Sequence, residues 1–154
     1  RGLLHYSFGS KDRLMVEVDR SDCDARVAAL EENLATATSA DEFVAFLVQT
    51  LEAFLSDEPG QALLYEMLSA SRRSDEIRAE LAELYRRWRG QLAEALRDKQ
   101  REGVVSLDAE PETVAALLFA LGDGMGLQVI SDPEWDSAPA FELGVQTARR
   151  LLGG

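Results

Sequence analysis

Near its amino-terminal residue the chain carries the segment GLLHYSFGSKDRL, residues Gly2–Leu14, which predicts a tight corner between two helices. Gly9 ends the first helix, because glycine disfavours a helix interior. Ser10 is suited to cap the second helix, since its hydroxyl can accept a hydrogen bond from a free backbone N–H group. Lys11 then lies at a helix N-terminus, where the ammonium and the exposed N–H groups favour an anion such as phosphate. The segment therefore indicates a helical corner that can contact a polyanion.

The charge distribution restricts such contact to this corner. The 154 residues carry a formal net charge of −12. Arg1, Lys11 and Arg13 nevertheless outnumber Asp12 in the first thirteen residues. An acidic body repels a phosphate backbone, so we expect only the first dozen residues to approach nucleic acid.

The composition argues against an enzyme, a metal site or a bound cofactor. His5 and Cys23 are single residues of their kinds and lie far apart in the sequence, so they form no convincing nucleophile–base pair. A carboxylate-bridged di-metal bundle would need a second histidine. We predict no catalytic residue, no metal ligand and no cofactor.

We expect a cytoplasmic protein without membrane contact. The hydrophobic share of 46% and the charged share of 29% are those of an ordinary globular protein. The longest apolar run, residues 114–121, is too short to cross a bilayer, and we see no secretory signal pattern.

The apolar residues recur with helical spacing along the whole chain, which predicts an all-α helical bundle. Ser39 and Glu42 form a capping-box pattern before a helix, Ser74 begins a long helix, and Gly103 is suited to end it. The predicted helices span about residues 11–34, 40–55, 59–70, 75–103, 111–130 and 139–152.

The amino-terminal corner resembles the end of the DNA-binding region in TetR-family transcriptional regulators. That family's pattern is Gly, two variable residues, Tyr or His, Tyr, any residue, Phe, any residue, Ser, Lys, and Asp or Glu. The pattern is matched here by Gly2, Tyr6, Phe8, Ser10 and Lys11. The resemblance implies that residues 1–12 are a remnant of a helix-turn-helix domain, and that residues 13–154 form a ligand-binding and dimerisation domain.

The same resemblance implies contacts with operator DNA. Gly2 and Leu3 would lie on the recognition helix in the major groove. His5, Tyr6 and Lys11 would contact the phosphate backbone. Such contacts position the protein on the duplex but do not read the base sequence.

Three glycines at alternate positions, Gly122, Gly124 and Gly126, interrupt the apolar helix near residue 120. They indicate either a close approach by another helix or room for a ligand. TetR-family proteins dimerise through their last two long helices, and packing within one chain is the alternative for the same stripes. The implied interface residues are Leu118, Leu121, Met125, Val129, Phe141, Val145, Ala148 and Leu152.

A pocket for a small molecule needs apolar walls and a few polar groups. Asp123 lies inside the apolar helix, and the sequence leaves open whether it contacts a ligand or is structural. Ordinary core packing is the alternative for the other candidates. The candidate ligand-binding residues are Phe43, Phe46, Leu64, Met67, Tyr85, Trp88, Leu92, Phe119 and Asp123.

The resemblance to TetR-family proteins implies a homodimeric transcriptional regulator. By the resemblance, it is a repressor that a small apolar inducer of unknown identity releases from operator DNA. The alternative is a helical interaction or scaffold protein without a ligand pocket.

Overall fold

The computed structural model describes residues 24–154, which form six helices and contain no strand. Helix α1 covers residues 24–36 of the described part. The others are α2 (Ala40–Leu55), α3 (Glu58–Ala70), α4 (Asp75–Arg101), α5 (Pro111–Ser131) and α6 (Ala138–Leu151). This confirms the all-α prediction.

Local sequence signals set several of these helix ends. The Ser39 hydroxyl accepts a hydrogen bond from the backbone N–H of Glu42, and the Ser74 side chain accepts one from Ile77. The Glu42 carboxylate departs from the usual capping box, because it accepts from the backbone and hydroxyl of Thr38. Gly103 follows α4 with a φ of 78°, the left-handed conformation predicted for it.

The main core lies where α2, α4, α5 and α6 meet. Phe43 and Leu96 are fully inaccessible to solvent, and Leu34 of α1 and Leu152 after α6 are 1% exposed. A smaller cluster of Met67, Ala70 and Ile77 joins α3 to α4. Helix α2 contacts α3, α5 and α6, while α4 packs most extensively on α5.

Helix α5 is apolar on both its inner and outer faces. Its inner residues pack in the core, but Leu117 is 46% exposed and Leu127 is 52% exposed. By length and composition alone it could span a membrane, with a mean hydropathy of 1.6. A core helix of a globular protein passes the same test of length and composition, so this finding is weak evidence for a membrane span.

Candidate functional site

A partly open cavity of about 300 Å³ lies between the main core and the α3 side of the molecule. All six helices contribute to its walls. Helical spacing explains this, because residues three or four apart share the inward face of each helix. Representative wall residues, one from each helix, are Leu30, Leu51, Leu64, Trp88, Phe119 and Val145.

Three aromatic rings organise the wall formed by α4 and α5. The rings of Tyr85 and Trp88 meet edge to face with centroids 5.4 Å apart. Trp88 also stacks on Phe119 at a centroid distance of 6.3 Å. These contacts restrict the orientation of the indole, since aromatic pairs favour such geometries.

Asp123 crosslinks the same two helices at the cavity. The Tyr85 hydroxyl donates a hydrogen bond to Asp123 Oδ2 over 3.0 Å. Partial burial away from solvent raises the pKa of Asp123, and the hydrogen bond from Tyr85 acts in the opposite direction. Burial first, and then the nearby Asp123 charge, raise the pKa of the Tyr85 hydroxyl. Asp123 still has an exposed surface, so it lies at an edge of the cavity that solvent reaches.

Comparison with known proteins identifies the architecture. Residues 44–153 match the family described as "BetI-type transcriptional repressor, C-terminal". The chain belongs to the TetR family of transcriptional regulators. The match covers more than two thirds of the chain, and within it lie α3 to α6 and most of α2.

Individual relatives agree with this assignment. The chain is 25% identical over 154 residues to the HTH-type transcriptional regulator UidR of Escherichia coli K12, covering 99% of this chain and 74% of that protein. The UidR of Shigella flexneri gives the same values. The crystal structure of the MbdR regulator from Azoarcus sp. CIB has a TM-score of 0.69 at 23% identity, with 99% of this chain and 81% of that chain covered. At that identity the structural likeness shows the shared fold.

Most ligand-binding candidates of this TetR-family chain lie around the cavity. The exceptions are three aromatic residues. Phe43 lies in the core, Phe46 packs against that core, and Tyr85 reaches the cavity through its bond to Asp123. The candidates that line the cavity directly are Leu64, Met67, Trp88, Leu92, Phe119 and Asp123.

The structure adds polar wall residues that the sequence analysis missed. Arg26 of α1 and Asp57 before α3 both line the cavity, and Arg26 Nη1 lies 2.7 Å from Asp57 Oδ2. The hydrogen bond from Arg26 is the main reason that the pKa of Asp57 is lowered. Gln91 of α4 also lines the cavity. No sequence signal indicates that two residues 31 positions apart, such as Arg26 and Asp57, form an ion pair. The position of Gln91, one helical turn after Trp88, does indicate that the two side chains share a face of α4.

The predicted interface residues have three kinds of surroundings. Leu118, Ala148 and Leu152 are buried within the chain itself, which leaves them little surface for a partner. Val129 is half-buried on α5. The cavity wall contains Leu121, Met125, Phe141 and Val145. Instead, the exposed leucines of α5 and α6 are Leu117, Leu127 and Leu143.

The glycines of α5 also have different surroundings. A Cβ atom at Gly122 or Gly126 would make only ordinary contacts with Leu51 or Leu55, and one at Gly124 would meet nothing within 4 Å. Close helix approach within the chain therefore does not require these glycines. Gly122 lines the cavity, whereas no atom of residues 24–154 lies against the open side of Gly124.

The predicted DNA contacts, Gly2, Leu3, His5, Tyr6 and Lys11, lie outside the described residues. Within residues 24–154, no group of three or more His, Cys, Asp or Glu side chains is arranged to hold a metal ion.

Proposed function

We propose that this TetR-family regulator is a cytoplasmic repressor that a small apolar molecule releases from operator DNA. In this proposal residues 13–154 bind the inducer and form a homodimer, and residues 1–12 belong to the DNA-binding domain. The supporting observation is the cavity of about 300 Å³, which is lined by residues of all six helices. A scaffold protein would have no need of such a space, because interiors otherwise pack to near crystal density.

The position of the cavity offers a route from inducer to DNA. Val27 and Leu30 of α1 line it, so an occupant contacts the described helix that is nearest in sequence to the predicted DNA-binding residues. Two exposed ion pairs also hold α1, one between Arg26 and Asp57 and one between Arg87 and Asp24. An inducer that fits best when α1 is displaced would shift the population away from the DNA-binding arrangement, by no more than its difference in affinity for the two states.

A thermal-shift screen with neutral apolar compounds tests the sensor proposal. A compound present at one hundred times its Kd stabilises the folded state by about 2.7 kcal/mol. For a domain of this size that raises Tm by about 5–10 °C. Gly122→Met extends a side chain from the cavity wall and should abolish the shift.

Gly90→Met is the matched control for that variant. Gly90 is an exposed helical glycine with nothing within 4 Å of an added Cβ atom. Gly90→Met has the same gain in helix propensity as Gly122→Met but does not change the cavity. If no apolar compound raises Tm, or if Gly122→Met responds like Gly90→Met, the cavity is not an inducer site.

The proposed homodimer uses the free face of α5 together with α6. Leu117 and Leu127 are exposed on α5, and Leu143 on α6 is 58% exposed. Large exposed apolar residues on adjacent helices are typical of an interaction surface. The open side of Gly124 would let a partner helix approach closely.

Analytical ultracentrifugation tests the dimer. Leu127→Glu should shift the chain from dimer to monomer, because it places a charge in an apolar interface. Leu68→Glu is the control, since Leu68 is 39% exposed but lies on α3. A monomeric wild type, or equal effects of the two substitutions, would contradict the proposed interface.

A further inference from the structure

Two residues that line the cavity, Trp88 and Gln91, each carry a buried polar atom. Trp88 Nε1 and Gln91 Oε1 are buried side-chain atoms without a hydrogen-bond partner, and residues 24–154 contain no others. Buried polar groups are nearly always hydrogen-bonded, because leaving one unpaired is destabilising. Both residues line the same cavity.

The two atoms are complementary in kind and close along the helix. The indole N–H can only donate a hydrogen bond, and the amide oxygen only accepts one. Residues 88 and 91 lie three positions apart on α4, so their side chains share one face of the helix. The stacking of Trp88 on Phe119 and its edge contact with Tyr85 hold the indole against this wall.

A single hydroxyl group can supply the hydrogen-bond partners that these two atoms lack. Its oxygen accepts from Trp88 Nε1–H, and its hydrogen is donated to Gln91 Oε1. We propose that the cavity binds a neutral, mostly apolar molecule carrying one hydroxyl group, which is held by Trp88 and Gln91. This inference rests on the proposed function of the cavity as a ligand site and adds the chemical class of the ligand.

The charges around the cavity disfavour the two ionic alternatives. Glu31, Glu80 and Asp123 line it, and the nearby guanidinium of Arg26 is already bonded to Asp57. A carboxylate ligand would meet this negative charge and could donate nothing to Gln91. An ammonium group would be attracted by it, but it cannot accept the hydrogen bond from the indole.

Isothermal titration calorimetry with four probes of one shape tests the proposal at neutral pH. The probes are para-tert-butylphenol, tert-butylbenzene, para-tert-butylbenzoate and para-tert-butylbenzylammonium. We expect the phenol to bind at least about tenfold more tightly than each of the others. The two hydrogen bonds account for its advantage over the hydrocarbon.

Two substitutions remove the hydrogen-bonding groups one at a time. Trp88→Phe keeps an aromatic ring without the N–H group, and Gln91→Leu replaces the amide with an apolar group. Each should reduce the preference for the phenol over the hydrocarbon to about twofold or less. Gln49→Leu, on the exposed side of α2, is the matched control and should retain the full preference.

A measurement on the unmodified chain guards against misfolded variants. The protein has two tryptophans, so its NMR spectrum carries two indole N–H signals. The phenol should move the Trp88 signal downfield, and tert-butylbenzene should not. Equal binding of phenol and hydrocarbon, or tighter binding of an ionic probe, would overturn the hydroxyl assignment and leave the sensor proposal standing. Binding by none of the probes would overturn both.

Discussion

Lys99 holds the end of α1 against α4, and its replacement gives a sharp test of how α1 is anchored. Its side chain is 5% exposed, and its Nζ lies 2.6 Å from the Ala35 carbonyl oxygen and 3.0 Å from Glu102 Oε2. The last carbonyl groups of a helix have no partner within that helix. The ammonium therefore satisfies one of them and complements the negative end of the α1 dipole.

Lys99→Met removes these interactions and keeps the apolar stem. A hydrogen bond from a charged group contributes about 1.5–3 kcal/mol. The ion pair adds little, because the Glu102 side chain is 55% exposed. Methionine also avoids the cost of burying an ammonium group, so we expect a net loss of about 1–2 kcal/mol. For a chain of this size, Tm should fall by about 2–8 °C.

Differential scanning calorimetry measures this change, and hydrogen exchange locates it. Amides in the last turn of α1 should exchange faster in Lys99→Met than in the wild type. Arg101→Met is the control, because that side chain is 65% exposed and pairs with Asp98 at the surface. We expect the control to change stability by at most about 0.5 kcal/mol. If the two variants have the same Tm and the same α1 exchange rates, Lys99 does not anchor α1.

Three further predictions concern the site and the helix ends. The pKa of Asp123 is raised above its ordinary value of 3.8, so the folded state favours the protonated carboxyl group. The contribution of this group to the free energy of unfolding therefore falls as the pH rises from 3.8 through the pKa of the folded state. Asp123→Asn, which can still accept from Tyr85, should therefore raise Tm at pH 7 and lose this advantage in acid; a Tm difference that does not vary with pH would contradict the assignment. Ser39→Ala should lower stability by about 1 kcal/mol in chemical denaturation, because α2 loses its N-cap, and an unchanged midpoint would show that the cap is dispensable. Gly103→Ala should be destabilising by about 1 kcal/mol, since its φ is 78°, whereas Gly90→Ala in the exposed helix interior should be stabilising by about 0.5–1 kcal/mol; denaturant midpoints that move in the same direction would refute this reasoning.

The helix boundaries were predictable because their signals are local. Ser39 and Ser74 cap the helices that follow them, and Gly103 adopts the left-handed conformation expected after α4. Such preferences depend on a few neighbouring atoms, so they can be recognised without knowledge of the rest of the fold. Helix α5 begins at Pro111, as predicted, although the side chain of its N-cap residue Glu110 makes no capping hydrogen bond.

The candidate site was only partly predictable. Trp88, Leu92 and Phe119 were expected near a ligand and do line the cavity, whereas Phe43 belongs to the core. Helical periodicity identifies the buried face of each helix, and both groups occupy such faces. It does not indicate whether the space opposite a side chain is filled by another side chain.

The sequence by itself determined an all-helical chain with an acidic body, the ends of its helices, and a resemblance to TetR-family regulators. These features depend on neighbouring residues, on charge and on a short motif. Only the tertiary structure decided that a cavity remains between the helices, that Trp88 and Gln91 in its lining each carry a buried polar atom without a hydrogen-bond partner, and that Leu117, Leu127 and Leu143 stay exposed. The physical reason is that cavities, unpaired atoms and free faces depend on how well distant side chains fill the space between packed helices, and that fit is a property of the whole assembly.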